Sequence, residues 1–182
     1  MRAVVVYESM YHNTHTIADA IADGLRESLD VAVVPVDGAD AALESGADLL
    51  VVGGPTHAHG MSRAGTRKAA VDAAEKPGSE LSVDPDAEGP GVRDWLDRVG
   101  QLALEAAAFD TRLDARPWLT GSASKGIARR LRMIGCSLLT EPESFLVTKE
   151  SELEPDEAAR ARRWGTSLAS LLASPTRASD TG

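Results

Sequence analysis

The stretch Arg2-Ala3-Val4-Val5-Val6-Tyr7-Glu8-Ser9-Met10-Tyr11-His12-Asn13-Thr14 reads as a buried strand that runs into a hydroxyl-rich turn and then into a helix. Such a junction leaves several backbone N–H groups unpaired at one point, where the helix dipole also favours negative charge. Ser9, Asn13 and Thr14 add side-chain donors, and Met10, Tyr11 and His12 complete the loop. The loop holds no Lys or Arg and lacks the G-x-x-x-x-G-K-[ST] pattern of nucleoside triphosphatases. A monophosphate held by neutral donors is therefore expected.

Beyond this junction, short β-branched runs alternate with longer helical periods, the pattern of βαβ units. Five strands are expected, over Arg2 to Tyr7, Val31 to Val36, Asp48 to Gly53, Ala103 to Phe109 and Ser144 to Thr148. Helices are expected over Asn13 to Leu29, Ala39 to Ser45, Ser62 to Glu75, Ala123 to Ile134 and Pro155 to Leu172. The fold class is thus α/β, a doubly wound five-stranded parallel sheet in three layers. Right-handed crossovers place the strands in the order 2-1-3-4-5, with ligands at the switch point beyond the carboxyl ends of strands one, three and four. Residues 1–173 form one domain in this reading and 174–182 a frayed tail. The Pro- and Gly-rich stretch from Pro77 to Gly91 is expected to be a surface insertion.

The second loop at that edge contains Gly53-Gly54-Pro55-Thr56-His57-Ala58-His59-Gly60, where small residues let backbone approach a flat ligand. The third runs from Phe109 through Asp110, Thr111 and Arg112 to Trp118 and on to the Gly121-Ser122-Ala123 start of a helix. The first loop resembles the Ser/Thr-x-x-Gly-Asn-Thr phosphate loop of the flavodoxin-like family, with His12 standing where that pattern has Gly. The Gly-Gly-Pro-Thr turn resembles the same family's second flavin-contacting loop. The resemblance implies a non-covalently bound FMN, its phosphate on Ser9 to Thr14. Its ring would lie between Pro55, Thr56, His57, His59 and Gly60 on one side and Asp110, Thr111, Arg112 and Trp118 on the other. It implies electron transfer with a redox partner protein. A NAD(P)H-dependent flavin or quinone reductase of the same fold, and an interaction module that has lost FMN, stand as alternatives. No catalytic acid or base is singled out.

Composition sets the outer bounds. The chain has 182 residues, 43% hydrophobic, enough for one core. Its formal charge of −9 argues against nucleic acid or an acidic membrane as partner. There is no long apolar run, and the lone Cys136 cannot form an internal disulfide, so a cytoplasmic protein is expected. His57 and His59 are too few ligands for a metal, because Met61 and Ser62 follow where further ligands would be needed. His12 and His15 read as polar residues near a helix start. A phospho-receiver domain shares the strand order, but strand three ends in Gly53-Gly54 rather than in an Asp.

Overall fold

The computed structural model describes residues 1–57, 60–79, 81–116 and 120–174. In chain order its elements are β1 (Arg2–Tyr7), α1 (Asn13–Leu25), β2 (Asp30–Pro35), α2 (Ala39–Glu44), β3 (Leu49–His57), β4 (Gly60–Met61), α3 (Ala64–Ala74) and α4 (Val92–Arg98). They continue with β5 (Glu105–Leu113), α5 (Ala123–Met133), β6 (Ser137–Leu138), β7 (Glu143–Val147) and α6 (Glu157–Ala173). The sheet runs β2-β1-β3-β5, and β6 and β7 both pair with the outer edge of β5. All of these pairs are parallel, and only the short β4 runs antiparallel to β3. This is the expected doubly wound order, with the fifth strand broken in two. Residues 139–142 bulge out between its parts, next to Pro142, which has no N–H to give to the ladder.

Alternation along β1 and β3 splits the core between the two faces. Ala3, Val5, Leu49 and Val51 pack with Ile17, Ile21 and Leu25 of α1 and Leu168 of α6. Val4, Val6, Leu50 and Val52 pack with Trp95 and Leu96 of α4 and Ile127 and Leu131 of α5. Each fully buried aliphatic side chain contributes about 1.5–3 kcal/mol. On the first face α1 and α6 touch backbone to backbone. A Cβ on Gly24 would overlap the Arg162 carbonyl oxygen, and one on Gly165 would overlap that of Ile21. Phe109, Phe145 and Trp164 meet edge to face, with centroids 6.1–6.4 Å apart, and tie β5 and β7 to α6.

Three expectations need correction. Strands three and four do not stop at Gly53 and Phe109, because the parallel register continues through Gly54↔Asp110 and Pro55↔Thr111, and β5 stays paired with β7 as far as Leu113↔Val147. Pairing with neighbours outweighs the local turn signal of Gly-Gly-Pro. The stretch from Pro77 to Gly91 is more than a surface insertion: Asp84 and Ala87 are buried, and the Asp84 N–H donates to the Met10 carbonyl at 2.8 Å. Helix α4 is absent from the expected elements, and its Trp95 packs against the sheet. Its indole N–H donates to Asp40 at 2.7 Å. The tail beyond residue 174 lies outside the described residues.

Candidate functional site

Parallel strands bring their carboxyl ends to one edge, and the loops that follow them must share it. A pocket of about 280 Å³ opens there, lined by Met10, Tyr11, Asn13 and Thr14 after β1, by Pro55, Thr56 and His57 at the end of β3, and by Thr111, Arg112 and Leu113 at the end of β5. Val147 at the end of β7, with Lys149 and Ser151 after it, closes the fourth side. The chain carries 28 carboxylate residues, yet among the described residues none lines this pocket, whereas Arg112 and Lys149 do. An acidic protein thus presents a locally cationic cleft.

The turn after β1 is built for an acceptor. The N–H groups of Met10, Tyr11 and His12 meet no protein acceptor among the described residues, and no side chain caps α1. His12 has φ 64°, the left-handed conformation that the family pattern supplies with glycine, and histidine holds it at a cost of about 1–2 kcal/mol. The Thr14 and Thr111 hydroxyls lie 2.7 Å apart in a buried pair. Only one proton is used between them, so one hydroxyl retains a proton to donate. Asn13 donates one amide N–H to the Ser151 carbonyl at 2.7 Å and keeps the other. Tyr11 is fixed by donation of its hydroxyl to the Ala70 carbonyl at 2.9 Å.

Several expected residues lie elsewhere. The Ser9 hydroxyl is buried without a partner, in a separate cavity of about 10 Å³ shared with Asp37 and Asp86. That is room for about one water, not for a phosphate. Asp110 is fully buried beneath the pocket, where one carboxylate oxygen accepts from Thr56 Oγ1 (3.0 Å), Ser122 Oγ (2.9 Å) and the Ser124 N–H (2.8 Å). It fastens β3 to the start of α5 and does not border the pocket. Thr56 also accepts from the Ala123 N–H at 2.9 Å, so its hydroxyl serves the same lashing. Gly60 pairs with His57 across β3 and β4 and is not on the pocket wall. His12 faces the Pro77–Gly91 stretch instead, and His59 and Trp118 lie outside the described residues.

Charge on the walls follows from burial and partners. Burial pushes the His57 imidazole below its ordinary value, so it is neutral at pH 7. Arg112 donates to the Ala115 carbonyl at 2.9 Å and to that of Leu113 at 3.3 Å, which holds its charge at the pocket rim. Arg116 is exposed and does not line the pocket. Lys149 and Ser151 were not singled out for this site, although the rule that places loops one, three and four at this edge also brings the loop after the last strand there.

Just below the turn, Glu8 is buried. Its carboxylate accepts from Ser62 Oγ and from the Val92 N–H at 2.8 Å, and Arg67 reaches Ser62 at 3.3 Å. Burial raises the Glu8 carboxyl above its ordinary value, against the opposing pull of Ser62, the Val92 N–H and Arg67. It is a structural knot joining the end of β1 to the starts of α3 and α4.

A doubly wound parallel sheet with a pocket at the switch point, below an uncapped first helix, defines the class of open α/β folds whose ligand crevice lies at this edge. The sequence model of the flavodoxin family matches residues 5–89, just under half of the chain, and the fold is flavodoxin-like. No curated protein matches the sequence. Among solved structures, a flavodoxin from the domain Archaea is 20% identical, with TM-score 0.62, over 94% of this chain and 99% of that one. Oxidised flavodoxin 1 from Bacillus cereus is 19% identical, with TM-score 0.63, over 93% and 98%. Rubredoxin oxygen:oxidoreductase from Desulfovibrio gigas is 17% identical, with TM-score 0.58, over 94% of this chain but 36% of that one. At these identities the likeness speaks for the fold. Among the described residues no helix is long and apolar enough to cross a membrane.

Proposed function

We propose that this protein binds FMN in the pocket at the carboxyl edge of its sheet and passes electrons to and from a partner. The observation that carries the reading is the charge of the cleft: Arg112 and Lys149 on its walls and, among the described residues, no carboxylate, in a chain of net charge −9. The residues present fit the cofactor. The unpaired N–H groups of Met10 to His12, the uncapped start of α1 and the spare protons of Thr14 or Thr111 and of Asn13 would hold the phosphate. FMN, when bound, supplies a ring that takes up and releases electrons. Tyr11, Pro55 and Leu113 supply apolar wall, and His57, kept neutral by burial, adds no charge beside it. Arg112, clamped by carbonyls, offsets negative charge at the rim without having to move.

The test is retention of flavin. The purified protein, mixed with FMN and desalted, should keep one equivalent. Thr14→Ala should weaken FMN by at least about tenfold, as expected for a hydrogen bond to a charged group, while riboflavin binding changes far less. Equal losses for both ligands would remove the phosphate assignment. Bleaching of the bound flavin by NADPH alone would replace the carrier with the reductase, and a protein that retains no FMN would leave only an interaction module.

A further inference from the structure

On the far side of the same turn, His12, His15 and Asp84 offer one ligand atom each, and these atoms all lie within 4.8 Å of one another. His12 Nδ1 and His15 Nδ1 stand 3.4 and 3.6 Å from the same oxygen, Asp84 Oδ2. Both are within ion-pair distance but neither makes a hydrogen bond to it: the carboxylate is 1% exposed, and this oxygen has no hydrogen-bond partner among the described residues. A buried carboxylate oxygen left in this state is costly unless something fills its place.

The spacing is that of ligands around a small cation. Bonds of about 2.0–2.1 Å to nitrogen and oxygen at a tetrahedral angle put ligand atoms about 3.4 Å apart. The other nitrogen of each imidazole is turned to an outer partner, His12 Nε2 to Ser82 Oγ at 3.3 Å and His15 Nε2 to Asp19 Oδ2 at 3.6 Å. This is the second layer that orients metal-binding histidines. The His15 ring is stacked on Tyr7, with centroids 4.4 Å apart and planes 16° apart. Asp84 is pinned by its N–H to the Met10 carbonyl and by its own carbonyl, which accepts from the Ala87 N–H at 3.0 Å. A further carboxylate, Asp19, stands beside His15. His12 accepts left-handed backbone strain without its side chain capping the helix, so the imidazole is free for another use.

We propose that His12, His15 and Asp84 form a binding site for a divalent transition metal of the zinc class, with one position left to water. Two imidazoles and a carboxylate suit Zn²⁺ or Co²⁺ and not the oxygen-seeking Mg²⁺ or Ca²⁺. The ion would join the Pro77–Gly91 stretch, through Asp84, to the first turns of α1. Both imidazoles are partly exposed, which gives the ion a path in. The site does not depend on the flavin reading, since none of its three side chains lines the ring pocket and His12 enters the phosphate cradle only through its backbone N–H.

Chelator-treated, flavin-free protein titrated with ZnCl₂ and separately with CoCl₂ tests this. One equivalent should bind, and the cobalt form should show visible d–d absorption without a thiolate charge-transfer band, because Cys136 is buried elsewhere. At 100 times the dissociation constant zinc should raise Tm by about 5–10 °C. Asp84→Asn and His15→Gln should each weaken binding by at least about tenfold while keeping the wild-type far-UV circular dichroism. Zinc binding that survives in both variants, that vanishes in His57→Gln, or that fails to reach one equivalent at roughly millimolar metal would overturn the site. A protein that retains FMN but binds no zinc would refute this inference alone, and one that binds zinc but no FMN would refute only the flavin reading.

Discussion

Two buried carboxylates flank the turn after β1 and are left in opposite conditions. Glu8 is enclosed by donors, Ser62, the Val92 N–H and Arg67 beyond them, and joins three elements. Asp84, buried as deeply, presents an oxygen that receives no hydrogen bond and is faced by two imidazoles. The same functional group serves as scaffold where its lone pairs are satisfied and as a vacant ligand where they are not. Burial alone does not separate the two conditions, and Asp110 combines them, with one oxygen accepting three hydrogen bonds and the other none.

The comparison can be broken first at Glu8. Glu8→Ala removes the acceptor for two donors and leaves Arg67 facing a gap, so urea unfolding should show a loss of about 3 kcal/mol. A loss below about 1 kcal/mol would mean that Glu8 is not a knot.

Acid and base should then pull two buried glutamates apart. The Glu8 carboxyl is raised by burial above 4.5, so its contribution is complete below that pH and fades as pH rises through its folded value. At Glu157 burial acts in the same direction but is outweighed by the Arg160 guanidinium and the Leu146 N–H, and the carboxyl is held below 4.5. Its contribution is present above that pH and is lost as pH falls through its folded value. Urea midpoints between pH 3.5 and 7 should therefore show wild type losing ground to Glu8→Gln as pH rises, and losing ground to Glu157→Gln as pH falls. Parallel curves for the two variants would contradict the assigned environments.

The smallest effect is the sharpest. With metal removed, Asp84→Asn takes away no accepted hydrogen bond at Oδ2 and relieves an unpaired buried oxygen, so stability at pH 7 should not fall and should rise by about 1 kcal/mol. A loss comparable to that of Glu8→Ala would make Asp84 a structural partner of its histidines.

Much of this was legible in the residues. Period and β-branching along Arg2–Tyr7 and Leu49–Val52 fixed the parallel sheet and, through the crossover rule, the edge where loops meet. The unpaired turn after β1 followed from the strand-to-helix junction, and the left-handed backbone at His12 from its standing in a glycine position. What stayed hidden depended on partners distant in sequence. Whether β3 and β5 ended at Gly53 and Phe109 was decided by the register between them, which no local window contains. Asp110 resembled a loop residue until that register drew it beneath the pocket, and Ser9 resembled a phosphate donor until the stretch near Asp86 closed over it.

The sequence by itself determined the layer order and the strand-to-helix turn after β1 with its uncapped helix start, because both arise from local backbone chemistry. Only the tertiary structure decided which polar groups remain unsatisfied. Asp84 lies about seventy residues from His12 and His15, and only the docking of the Pro77–Gly91 stretch onto Met10 brings its carboxylate within reach of their imidazoles.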